Sequence, residues 1–127
     1  MGLDPLSPMR FAARHAALDG ALTADQAAVR LGLGIAAVNG MAGRGELAVL
    51  REGGAWRFPS WQFTASGTLP GLLELLAGWP GSIVALTTWV CTSRQDLGGR
   101  TPAAAMRDSD ESDVMSELAL HPPVDMS

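Results

Sequence analysis

The chain has 127 residues, of which 47% are hydrophobic and 17% charged, a balance that excludes bulk disorder and predicts one ordinary domain or two very small ones. Its formal net charge of −4 is unfavourable for a protein that must neutralise phosphates. Residues 1–63 carry six arginines and five acids (+1) and residues 64–127 carry three arginines and eight acids (−5), which predicts two parts with different partners.

The first half predicts helices at its start. Ser7 and Pro8 have the pattern of an N-cap followed by proline at the first helical position, for a helix over residues 9–18. Thr23 and Gln26 have the spacing of a capping box, and apolar residues then recur at helical intervals up to residue 31. We therefore expect two helices separated by a short break.

A tight turn, a third helix and a β-hairpin are predicted next. Glycines at residues 32 and 34 interrupt the helical pattern, which resumes from Ile35 to Met41. Two short apolar segments, residues 47–51 and 55–58, flank a Glu-Gly-Gly sequence whose glycines favour a hairpin turn.

The second half predicts a helical bundle. Leucines between residues 69 and 76 predict a helix that Thr68 and Pro70 start and Pro80 ends, and residues 83–90 form a second apolar stripe. Thr101 and Pro102 start a further short helix. Ser109 or Asp110 is expected to cap a last helix through residue 120, followed by a mobile tail over residues 121–127.

Residues 21–58 have the element order of a winged helix-turn-helix. The pattern comprises Leu22-Thr23, Ala27-Ala28, Leu31-Gly32, Val38, Arg44-Gly45-Glu46-Leu47 and Trp56-Arg57-Phe58-Pro59. On these residues the segment resembles the small winged domains of excisionases and MerR-type regulators. The resemblance implies a DNA-binding domain over residues 1–58.

Few side chains on the expected recognition helix suit base recognition. Asn39 is the one residue there whose side chain suits a bidentate base contact, and Arg44, Arg51 and Arg57 are candidates for phosphate contacts from the loop and the hairpin. The alternative, open at this stage, is an interaction module that kept the scaffold and lost DNA affinity.

Residues 59–120 resemble a second family. The resemblance rests on Trp61-Gln62-Phe63, Leu69-Pro70-Gly71-Leu72, Trp89, Leu97-Gly98-Gly99-Arg100-Thr101-Pro102 and Val114. These residues are similar to the toxin-binding domain of antitoxins in the Xre/MbcA/ParS family, whose partners are RES-type toxins that consume NAD. The chain departs from the family at residues 92–96, where relatives commonly carry Thr-Pro-Asn.

Candidate toxin contacts lie on the loop and the last helix. Arg100 is a planar donor that either faces the partner or closes an internal salt bridge with Asp96 or Asp108. The remaining candidates are the acidic helix start and an apolar face, namely Asp110, Glu111, Asp113, Val114 and Leu118. We expect this helix and the tail to lie against the toxin's active-site cleft. The alternative is that its apolar residues pack on the chain's own helices.

The sequence contains few signals for metal binding or catalysis. His15 and His121 are too isolated in the sequence to indicate a metal site or a catalytic dyad, and the acidic run near residue 110 fits a helix start better than a calcium loop. The four tryptophans are expected in the core. No nucleophile–base pattern or phosphate loop is visible, so we expect a binding protein without a cofactor of its own and not an enzyme.

The cysteine count and the apolar runs predict the cellular compartment. Cys91 is the only cysteine, which excludes an intramolecular disulfide and a cysteine metal cluster. The central apolar run is too short to cross a bilayer, and the N-terminal residues show no signal-peptide pattern. We expect a cytoplasmic protein without a membrane partner.

The combined prediction is a mainly α chain, with a small winged helix-turn-helix followed by a compact helical toxin-binding bundle. The expected function is that of an antitoxin that occludes a RES-type toxin, as a homo-oligomer or as a hetero-oligomer with that toxin. Repression of its own operon through operator DNA is left open. The alternative function is a DNA-binding accessory factor, such as an excisionase or a phage regulator.

Overall fold

The computed structural model describes the backbone of residues 7–121 and the side chains of residues 12–121. Within this range the fold is mainly helical, as predicted, with two small two-stranded antiparallel sheets. The elements are α1 (Ser7–Leu18), α2 (Ala24–Leu31), α3 (Ile35–Gly43), β1 (Leu50–Glu52), β2 (Ala55–Arg57), β3 (Phe63–Thr64), β4 (Gly67–Thr68), α4 (Leu72–Gly78), α5 (Ile83–Val90), α6 (Pro102–Arg107) and α7 (Glu111–Leu120). Of the tail expected over residues 121–127, residues 122–127 lie outside the described residues.

The capping box that starts α2 is confirmed. The Thr23 hydroxyl accepts from the Gln26 amide at 3.2 Å, and the Gln26 side chain accepts from the Thr23 amide at 2.9 Å. The helix ends at Gly32, whose φ of +66° closes the tight turn before α3. The predicted cap of α1 is wrong, because Ser7 is the first residue of the helix and does not precede it.

The predicted hairpin is present between β1 and β2. Leu50 pairs with Arg57, and Glu52 pairs with Ala55 at the turn. Gly53 and Gly54 both have positive φ, as the turn requires. A further bridge between Leu22 and Phe58 ties the residues that follow the hairpin to the segment that precedes α2.

The second half differs from the prediction in its details. The leucine-rich helix α4 begins at Leu72 rather than at Pro70, because Gly71 takes a left-handed conformation immediately before it. The small β3–β4 hairpin was not predicted, since strands of two residues carry no periodicity. The start of α6 is confirmed: the Thr101 hydroxyl accepts from the Ala104 amide at 3.1 Å, and Pro102 occupies the first helical position.

Both halves contribute to one hydrophobic core, with α1 packed against α5. Trp61, Trp79 and Trp89 are buried as predicted, while Trp56 is partly buried at the core's edge. The core cluster consists of Ala27, Ala28, Val38, Ala42, Leu47, Ala48, Phe58, Trp61, Phe63, Leu69, Leu72, Leu75, Trp79, Leu86, Trp89, Val90, Leu97, Ala103, Ala105, Met106, Val114 and Leu118. The expected boundary between residues 58 and 59 therefore runs through a shared core.

A buried glutamine joins the two halves at this boundary. Gln62 is fully buried; its Oε1 accepts from the Ala48 amide at 2.8 Å and its Nε2 donates to the Ala48 carbonyl at 2.9 Å. The same Nε2 also donates to the Pro59 carbonyl at 3.1 Å. The side chain thus supplies both backbone partners of Ala48, as a neighbouring strand would.

Among the described residues, no helix is both long and apolar enough to cross a membrane.

We predict that Gln62→Leu destabilises the protein by about 2 to 4 kcal/mol, because the buried amide and carbonyl of Ala48 lose their hydrogen bonds while the volume stays similar. Gln95→Leu is the matched control, since Gln95 is exposed, and is expected to stay within about 0.5 kcal/mol. Urea unfolding measures both. Equal effects of the two substitutions would contradict the structural role of Gln62.

Candidate functional site

An open groove lies between the start of α2, helix α3 and the β1–β2 hairpin. Three of the four predicted DNA-contacting residues line it together: Asn39 from α3, Arg51 from β1 and Arg57 from β2. Asp25 and Trp56 also line the groove. The hairpin and α3 therefore bring one amide and two guanidinium groups to the same surface.

Both arginines of this groove are partly held by the hairpin itself. The Arg51 guanidinium carbon lies 5.9 Å from the centre of the Trp56 ring. The Arg57 Nε lies 3.3 Å from Oε1 of Glu52 across the hairpin turn. These contacts orient the guanidinium groups, and the carboxylates of Glu52 and Asp25 offset part of their positive charge.

Arg44, the fourth predicted DNA contact, does not line this groove. Its Nε donates to Oε2 of Glu46 at 2.5 Å, and its guanidinium lies beside Gly40 on α3. The hydrogen bond to Glu46 raises the pKa of Arg44 above its ordinary value. Arg44 directly follows α3, and its short-range pairing with Glu46 holds the side chain apart from the other three residues.

The loop that carries the antitoxin resemblance is a compact turn. A short 3-10 helix over residues 95–97 ends at Gly98, and both Gly98 and Gly99 have positive φ. The Arg94 amide donates to the Arg100 carbonyl at 3.0 Å, and the Gly99 amide donates to the Arg94 carbonyl at 3.0 Å. These bonds fix the backbone on both sides of Arg100.

The Arg100 side chain is held by two aspartates. Its Nη1 lies 2.8 Å from Oδ2 of Asp110 and 3.1 Å from Oδ2 of Asp108, while its Nε donates to the Leu97 carbonyl at 2.9 Å. The hydrogen bond to Asp110, followed by that to Asp108, raises the pKa of Arg100 above its ordinary value. Of the two internal partners considered from the sequence, Asp108 pairs with Arg100, whereas Asp96 pairs with His121.

The start of α7 is acidic and largely exposed. Asp110 occupies the cap position, but its side chain makes no capping hydrogen bond and binds Arg100 instead. Of the two expected cap residues, Asp110 therefore holds the cap position without the side-chain hydrogen bond, and Ser109 precedes it with a φ of +64°. Asp108 and Asp113 are exposed.

Val114 and Leu118 belong to the chain's own core. Val114 is fully buried and Leu118 is 6% exposed. Both residues were expected to offer an apolar face to a partner, and their burial leaves no such face on this side of α7. The alternative considered for them, packing on the chain's own helices, is the arrangement in the structure.

Glu111 is held closely against the turn before α4. A Cβ atom at Gly71 would lie 2.7 Å from the Glu111 Cβ, so α7 approaches this turn at a distance that only glycine permits. Oε2 of Glu111 is buried and has no hydrogen-bond partner among the described residues. Of the four predicted polar contacts on this surface, Glu111 is therefore the one turned furthest inward, and Asp113 remains the most accessible.

The structure also brings together three residues that the sequence did not connect. His121 Nε2 lies 3.3 Å from Oδ2 of Asp96, and the ligand atoms of Asp96, Glu117 and His121 all lie within 4.8 Å of one another. The view of His121 as isolated is therefore wrong. The four-residue spacing of Glu117 and His121 at the end of the predicted helix was a usable signal, but Asp96 comes from a distant turn.

The comparisons with known proteins give no relatives: no protein-family model, no curated protein and no solved structure matches this chain.

Proposed function

We propose that the protein is an antitoxin of a type II toxin–antitoxin system, which binds a RES-type NAD-consuming toxin and covers its active site. The support is the sequence resemblance over residues 59–120 together with the surface that this region forms. Arg100, which belongs to the loop that carries the resemblance, pairs with Asp108 and Asp110 at the start of α7, so this loop and the acidic residues belong to one surface patch.

The single observation that carries this proposal is the unbalanced charge of that patch. Asp108, Asp110 and Asp113 provide three carboxylates against the one guanidinium of Arg100, which leaves −2. Asp113 has no ion-pair partner in the part of the chain that the structure describes, so its charge is available to a partner. A site that binds the phosphates of NAD through arginine is complementary to such a patch.

The rigidity of the patch favours recognition. Arg100 is fixed by two carboxylates and a carbonyl, and the backbone on both sides of it is hydrogen bonded. Asp108 and Asp110 are thereby held in place before a partner arrives. A preordered charged surface loses little side-chain entropy on binding, which leaves more of the interaction energy for affinity.

We predict that Asp113→Arg weakens binding of the toxin encoded by the neighbouring gene at least about tenfold, because it reverses the one unpaired charge of the patch. The full chain and the toxin are mixed, binding is measured by calorimetry, and NAD loss is followed in the same mixture. Asp19→Arg is the matched control, since it makes the same charge change at an exposed residue after α1.

The expected result is that Asp19→Arg binds within about twofold of the unchanged protein. Equal weakening by both substitutions would show that only net charge matters and would contradict the patch. Absence of binding, with NAD loss undiminished by the unchanged protein, would overturn the antitoxin function itself.

A second candidate function, DNA binding through the first half, is favoured by the groove that contains Asn39, Arg51 and Arg57. Two guanidinium groups beside an exposed amide suit phosphate contacts flanking one base contact. This function is compatible with operon repression by an antitoxin and also with the accessory-factor alternative. Asp25 and Glu52 neutralise part of the groove's positive charge, which argues for weak binding of DNA.

We predict that Arg51→Gln lowers the salt dependence of DNA binding by about one unit of slope, as expected for one lost phosphate contact. Arg44→Gln is the control, because Arg44 is paired with Glu46 and lies outside the groove. Fluorescence anisotropy with the operon's upstream DNA at several salt concentrations measures both slopes. Loss of slope in Arg44→Gln alone would place the DNA surface elsewhere.

A further inference from the structure

The end of α7 and the turn at residues 95–97 form a cluster of mixed ligand types. Glu117 lies in the last turn of α7, and His121 follows directly after the helix, where its amide donates to the Glu117 carbonyl at 2.9 Å. Asp96 approaches this end of the helix from the short 3-10 helix that packs against α7. One imidazole and two carboxylates from two separate elements thus converge on one point.

One of the distances between these atoms matches the spacing of two ligands on one metal ion. Ligand atoms that lie about 2.0 to 2.1 Å from a tetrahedral zinc ion are about 3.3 Å from one another. The Asp96 Oδ2 and His121 Nε2 atoms are 3.3 Å apart. A ligand atom of Glu117 lies within 4.8 Å of both.

The environment of Glu117 is the second, independent observation. This residue is 6% exposed, and its carboxylate makes no side-chain hydrogen bond among the described residues. Its one ionic contact is Arg94 Nη1 at 3.8 Å, which is beyond hydrogen-bonding distance. A buried carboxylate is costly unless it is closely paired or hydrogen bonded. Glu117 is paired with Arg94 only at this longer distance, so a bound cation would give its carboxylate a closer partner.

We propose that Asp96, Glu117 and His121 bind one divalent cation of the zinc class. The donor set of one nitrogen and two oxygens fits zinc, with water in the fourth position. Such an ion joins the end of α7 to the residue 95–97 turn, and hence to the loop that holds Arg100. Its role is structural: it fixes the last helical turn on the body of the protein.

Substitution of Arg94 is expected to change cation binding in the opposite direction to substitution of a ligand. Its guanidinium lies 3.8 Å from Glu117 and 5.0 Å from the centre of the Trp89 ring, so it places a positive charge beside the cation. Removing this charge strengthens cation binding, whereas removing a ligand weakens it. A general loss of structure would weaken binding in every variant.

The experiment titrates the full chain, free of any affinity tag and dialysed against a chelator, with zinc in competition with a chromophoric chelator. We predict one ion per chain and a visible absorption typical of tetrahedral coordination when cobalt replaces zinc. Asp96→Asn and His121→Gln each weaken zinc binding at least about tenfold, and Arg94→Gln strengthens it severalfold. Asp96 and His121 are exposed, so neither substitution disturbs the core.

His15→Gln is the matched control, because it removes the chain's other histidine and leaves zinc binding unchanged. The proposal is overturned if the unchanged protein binds no zinc with one-to-one saturation. It is also overturned if Asp96→Asn binds as tightly as the unchanged protein, which would leave His121 and Asp96 as an ion pair only. Equal weakening by His15→Gln would assign the binding to adventitious histidine contacts.

Discussion

The structure depends most directly on the pairing of Gln62 with the backbone of Ala48. Gln62 is fully buried, and its amide satisfies both the N–H and the C=O of a residue that lies between α3 and β1. A buried amide in an apolar core is tolerated only when its hydrogen bonds are complete, so this side chain fixes one relative position of the two halves. The core then closes around that position.

The shared core holds the two candidate surfaces at fixed positions relative to each other. The groove with Asn39, Arg51 and Arg57 lies on the first half, while the acidic patch around Arg100 lies on the second. Because both rest on one core, a partner bound to the patch is held at a defined position relative to the groove. The proposed antitoxin function uses the patch and, where DNA is bound, the groove as well, whereas the accessory-factor alternative uses the groove alone.

Local signals in the sequence predicted local structure well. The Thr23 capping box, the Gly53–Gly54 hairpin turn and the Thr101–Pro102 helix start each depend on residues within a few positions of one another. The sequence offered Asp96 or Asp108 as a partner of Arg100 and none for His121, because loop geometry decides which carboxylate comes near. The burial of Val114 and Leu118 was undecided for the same reason, since an apolar helical face packs equally well inside or against a partner.

The central claim is that the two halves form one cooperative unit, and differential scanning calorimetry of the full chain tests it most directly. The account predicts a single transition whose calorimetric enthalpy equals its van't Hoff enthalpy, because separating the halves exposes the shared core and breaks the Gln62 hydrogen bonds. Two resolved transitions, or a calorimetric enthalpy well above the van't Hoff value, would show that residues 1–58 and 59–120 unfold independently and would contradict the account.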